Sequence, residues 1–88
     1  MGHARPRPQH LAAKLLAVRQ RMNLSQSQLI AKIRRDLTAA RISEYETGTR
    51  IPSLLTLLAY SRAARIPLEY LVDDDLDLDE LSISLALN

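Results

Sequence analysis

The 88-residue sequence predicts an all-α fold, a bundle of five short helices. Three observations predict it. Aromatic residues make up only 3%, all of them tyrosine, so the core must be built from Leu, Ile, Val and Ala, which favours helices over sheets. Apolar residues then recur at every third or fourth position through most of the chain. Residues that start and stop helices divide it at short intervals.

The elements follow in order. Residues 1–9, "MGHARPRPQ", are basic and interrupted by proline, and are expected to form a flexible arm. The helical bundle is expected over 10–72. From His10 to Met22, Leu11, Leu15, Val18 and Met22 recur at spacings of four, three and four, the stripe of an amphipathic helix. In "LSQSQL", Ser25 is a good N-cap and Gln28, three residues later, completes a capping box. Leu24 and Leu29 flank it as a hydrophobic staple. This second helix is predicted to run to about Ile33 or Arg34.

"LTAARISEYETG" is the third helix. Thr38 is its cap, Leu37 with Ile42 repeats the staple, and Gly48 supplies the left-handed residue that ends it. Ile42 and Tyr45 face inward. The outward positions are Ala39, Ala40, Ser43, Glu44 and Thr47, an unusually bare face. Ser53 caps a fourth helix whose apolar positions are Leu54, Leu57 and Leu58, and Pro67 opens a short fifth with Leu68, Leu71 and Val72 turned inward.

Composition removes whole classes of function. Without cysteine there are no disulfides and no thiolate metal sites, which fits a reducing, cytoplasmic setting. No apolar run approaches the ~20 residues of a membrane span, so no membrane partner is expected. His3 and His10 are too few and too loosely held for a metal site or a catalytic base. Gly2 and Gly48 are the only glycines, which rules out a phosphate-cradling loop. In "DDDLDLDE" the alternating aspartates open like a calcium loop but lack its central glycine and closing glutamate. No enzyme, metal or cofactor is expected.

The net charge of +2 conceals a polar chain. Residues 1–50 carry ten Lys and Arg against three acids, a balance of +7. Residues 51–88 carry two against seven, a balance of −5. A basic half that also holds the bare helix suits a polyanion.

Here the residues resemble a known family. "LSQSQLIAKI", "TAARISEYETGTRIPS" and "LLTLLAYSRAARIPLEYLV" resemble the Cro/phage-repressor, or XRE-type, helix-turn-helix domain over roughly Leu11 to Val72. The signature is Leu-Ser-Gln opening helix two, Ile-Ser-x-x-Glu-x-Gly in helix three, and Pro-Ser before helix four. One segment departs from it: helices two and three are joined through "IRRDL", without the family's glycine and about two residues longer.

The resemblance implies a five-helix, lambda-repressor-like fold and a transcriptional regulator, with repression the expected role, that binds double-stranded DNA. A helix entering a major groove about 12 Å wide needs side chains that do not block its approach. Ala39 and Ala40 are therefore the candidate base-reading residues, their methyls matched to thymine methyls, together with Glu44, which can accept from a cytosine amino group. The resemblance assigns phosphate contacts to Gln26, Thr38, Arg41 and Arg50, with Arg34 and Arg35 in the longer turn as further candidates. It also pairs Arg19 with Glu46, tying the reading helix to the scaffold. Two other readings stay open. One is an antitoxin-type regulator that also binds a toxin, and the other a protein-interaction module without DNA binding.

The last segment, 73–88, reads as an acidic linker followed by a strand. In "LSISLALN", Leu81, Ile83, Leu85 and Leu87 alternate with small residues, a period of two unlike the helical spacing of the bundle. A lone strand needs a partner, and the expected one is the same segment of a second copy. The sequence thus predicts a homodimer joined through this tail.

Overall fold

In the computed structural model, which describes residues 8–33 and 36–81, five helices follow one another in the predicted order. They are α1 (Leu11–Arg21), α2 (Gln26–Ile33), α3 (Ala39–Thr47), α4 (Leu54–Ala64) and α5 (Leu68–Val72). A sixth helical turn covers 78–81, and no strand occurs among the described residues. α1 packs on α3 and α5, α2 packs on α3 and α4, and α4 packs on α5.

Local chemistry sets each boundary. α1 ends where Asn23 turns the chain at φ +58°, a conformation asparagine tolerates better than most residues. The Ser25 N–H donates to Gln28 Oε1 at 2.8 Å and the Gln28 N–H to Ser25 Oγ at 3.1 Å, closing the capping box. Thr38 Oγ1 accepts the Arg41 N–H at 3.1 Å and starts α3. Gly48, at φ +82°, ends it and turns the Thr49 N–H back onto the Glu44 carbonyl. Ser53 Oγ accepts the Thr56 N–H, and α4 runs until Arg65 adopts the left-handed conformation.

The apolar stripes meet in one core. Leu15, Val18, Leu29, Ile42, Tyr60 and Leu71 are all but fully shielded from solvent, with Tyr45 beside them. Leu54 departs from the amphipathic reading of α4, since it stays 67% exposed, and Leu55 beside it is 60% exposed. The inward face of that helix is set instead by Thr56, Leu57, Tyr60 and Ser61. Both leucines fall in its first turn, and Leu55 borders a shallow surface groove with Lys32 and Ile33 of α2.

The acidic segment keeps its carboxylates exposed, as a linker would, but it is also tied to α1. Asp74 accepts the backbone N–H groups of Gln9 at 2.8 Å and His10 at 3.1 Å, at the entrance to α1. Lys14, only 7% exposed, donates through Nζ to the carbonyls of Asp73 and Leu76 at 2.8 and 2.7 Å. Arg21 donates to the Leu78 carbonyl and to Asp79 Oδ1, the latter at 2.7 Å. Leu78 is buried in the core. The segment is a strap across α1, because a buried ammonium and an open helix start need oxygen partners that α1 itself does not supply.

Leu81 brings a correction. It lies in the helical turn 78–81 and packs, partly buried, against the core of its own bundle. It is thereby withdrawn from the strand expected to join two copies. Ile83, Leu85 and Leu87 lie outside the described residues.

Candidate nucleic-acid interface

α3 presents the bare face that the sequence predicts. Ala39, Ala40, Ser43 and Thr47 are exposed, while Ile42 and Tyr45 are buried beneath them. Thr47 folds its hydroxyl back onto the Ser43 carbonyl at 3.0 Å, so it adds little height to the surface. Neither α2 nor α3 carries an acidic residue in its first turn, which leaves both helix N-termini open to anions.

Beneath that face a polar network locks α3 to the scaffold. Arg19 on α1 meets Glu46 on α3 through two parallel contacts, Nε to Oε2 at 2.6 Å and Nη2 to Oε1 at 2.9 Å. Arg19 Nη1 also donates to the Leu24 carbonyl at 2.9 Å, just before α2. Gln26 Nε2 donates to Glu46 Oε1 at 3.3 Å. One guanidinium and one carboxylate thus hold three helices in register. The hydrogen-bonded Glu46 carboxylate raises the Arg19 pKa above its ordinary value.

On the outer side, the charges expected to act separately are gathered at one residue. Glu44 Oε1 forms an ion pair with Arg41 Nε at 3.1 Å and accepts from Arg50 Nε at 3.3 Å. The Glu44 carbonyl also accepts the Arg50 backbone N–H at 3.2 Å, so one residue holds the Arg50 loop at two points. All three side chains are between 37% and 49% exposed.

The structure therefore brings Thr38, Ala39, Ala40, Arg41, Glu44 and Arg50 onto one surface. Gln26 is half-buried at its base, with its amide on the Glu46 carboxylate. Arg34 and Arg35 lie outside the described residues. Sequence reasoning missed two features. The sharing of Glu44 by two arginines was partly legible as an i, i+3 pair with Arg41, but Arg50 reaches it only through the Gly48 turn. The exposure of Ile51, Leu54 and Leu55 left no separate signal, because Leu54 read as core and the other two were assigned no role.

Among the described residues no helix is long and apolar enough to cross a membrane, and no three His, Cys, Asp or Glu side chains cluster to hold a metal ion.

A small helical bundle with a capped, low-profile helix clamped to the scaffold by a two-point ion pair defines the class of helix-turn-helix regulators. The chain belongs to the helix-turn-helix family, whose sequence profile matches residues 15–71, and it is of the Cro/phage-repressor type. No curated protein matches it. Among solved structures it is similar to the P22 c2 repressor in complex with the synthetic operator 9T in the presence of Tl+. The identity is 25% and the TM-score 0.65, over 74% of this chain and 96% of that one.

Proposed function

We propose that the protein is a sequence-specific regulator of transcription, acting as a repressor, that lays α3 in the major groove of double-stranded DNA. The observation that carries this reading is the α3 surface itself. Exposed Ala39 and Ala40 share the helix with Arg41, which meets Arg50 at Glu44, and the helix orientation is fixed from below by Arg19 and Glu46. Ala39 and Ala40 touch base edges, and their methyl groups favour thymine. Gln26, Thr38, Arg41 and Arg50 meet phosphates, joined by Arg34 and Arg35 of the turn. The likeness to a repressor held on its operator supports this arrangement.

The protein acts on its site as two copies in the cytoplasm. A nine-residue helix spans too few base pairs to discriminate well, and two-fold pairing places half-sites about one helical turn apart. Ile51, Leu54 and Leu55 are exposed large apolar side chains that follow Arg50 in the chain, and they are the surface offered for contact between copies. Three side chains fall far short of the ~800 Å² per partner of a stable complex, so pairing belongs to the DNA-bound state.

Selection of bound sequences from random duplexes tests the reading. The expected product is a dyad-symmetric site held by two copies, with affinity falling steeply as salt rises. Ala40→Trp is expected to weaken that site more than random DNA. Unchanged affinity for the selected site in Ala40→Trp would show that α3 stays out of the groove.

A further inference from the structure

We infer that Glu44 is a specificity-determining residue that acts by holding Arg41 and Arg50, rather than by touching a base. The inference rests on the DNA-binding reading above and deepens it.

The geometry leaves the Glu44 carboxylate little freedom for a base edge. A single oxygen, Oε1, lies 3.1 Å from Arg41 Nε and 3.3 Å from Arg50 Nε. Arg41 sits one turn back along α3, while Arg50 arrives from the loop, fixed there by its own N–H on the Glu44 carbonyl. Among the described residues, neither guanidinium has another acidic partner. Glu44 therefore draws the two cations toward one point beside the bare face and cancels one of their two charges.

That arrangement acts unequally on different DNA. Binding to random sequence is almost wholly a matter of phosphate contacts and counterion release. A carboxylate between two arginines opposes it twice, by reducing the local positive charge and by competing for the guanidinium groups. At a matching site, α3 seats fully and brings phosphates within reach of Arg41 and Arg50 at a fixed spacing. Gains at the bases then offset the loss of exposed ion pairs, each of which shifts an equilibrium by no more than about five-fold. Glu44 costs the protein affinity everywhere and costs it most where the sequence is wrong.

The test measures binding of the full chain and Glu44→Gln to a selected site and to a random duplex across a series of salt concentrations. The same measurements are made in the Arg41→Ala/Arg50→Ala background. Glutamine keeps the shape and the helix propensity while removing the charge. In Glu44→Gln, random-duplex affinity is expected to rise about three- to ten-fold, with a salt slope steeper by roughly one unit. Selected-site affinity changes less, so the ratio between the two falls. In the double-arginine background Glu44→Gln is expected to change neither affinity by as much as two-fold. Three outcomes overturn the inference. A selective loss of the chosen site in Glu44→Gln makes Glu44 a base-reading residue. An equal gain with and without the arginines makes it a diffuse charge. No change in any affinity means that it holds nothing. If neither protein binds duplex DNA in a salt-dependent way, the DNA-binding reading itself fails.

Discussion

Arg19 and Glu46, twenty-seven residues apart, meet edge to edge, with the carboxylate 6% and the guanidinium 17% exposed. The pair is shielded enough to matter and is completed by the Leu24 carbonyl and the Gln26 amide. Removing one partner strands the other. Glu46→Ala is expected to destabilise the fold by about 3 kcal/mol in urea unfolding, whereas replacing both residues with leucine recovers much of the loss. In the double variant, DNA discrimination is expected to suffer more than stability, because the pair orients α3. Equal, additive losses from the two single variants would show that the residues act independently.

Tyr60 is fully buried, and its hydroxyl has no hydrogen-bond partner among the described residues. Burial pushes its pKa up, so it stays a neutral phenol at every ordinary pH. An unpaired hydroxyl in a core carries a desolvation penalty of roughly 1–3 kcal/mol. Tyr60→Phe is expected to leave stability unchanged or raise it by about 1 kcal/mol, read as a higher melting temperature. A loss of 1 kcal/mol or more would reveal a partner for the hydroxyl.

The acidic strap makes two truncations differ. A chain ending at Leu81 keeps every contact described for the strap and is expected to unfold like the full chain. A chain ending at Asp75 loses buried Leu78 and both Arg21 contacts, and is expected to be less stable by about 2–4 kcal/mol. The first truncation also tests Ile83, Leu85 and Leu87. If the chain ending at Leu81 no longer binds its site as two copies, those residues form the joint.

Asp74 gives the fold a pH dependence. Two backbone N–H groups at the start of α1 hold its carboxyl below the usual carboxylate range. A carboxylate with a depressed pKa stabilises the fold above its unfolded pKa and loses that contribution as pH falls through the folded value. Asp74→Asn is therefore expected to be the less stable of the two at neutral pH and to lose less stability as pH falls below about 4, so that the two curves converge in acid. Superimposable acid curves would remove Asp74 from the account.

The local elements of this protein were written in its sequence because they depend on neighbours three or four residues apart. Ser25 with Gln28, Thr38 with the Arg41 N–H, Ser53 with the Thr56 N–H, and Gly48 each act within one turn, so caps and helix boundaries read directly. The bare face of α3 was legible for the same reason, since a 3.6-residue period separates Ala39 and Ala40 from Ile42 and Tyr45. The Arg19–Glu46 pair came only through family resemblance.

Contacts between segments far apart in the chain were settled only when the helices packed. "DDDLDLDE" carries the composition of a solvated linker, yet Lys14 and the start of α1, more than fifty residues away, turn it into a strap. Leu81 has the spacing of a strand, but the turn 78–81 carries it onto the bundle. Leu54 and Leu55 have the hydropathy of core residues and stay in solvent, because no distant segment packs over the first turn of α4. Hydropathy and spacing record what a residue can bury or bond, and the packing of distant segments decides whether a partner is there.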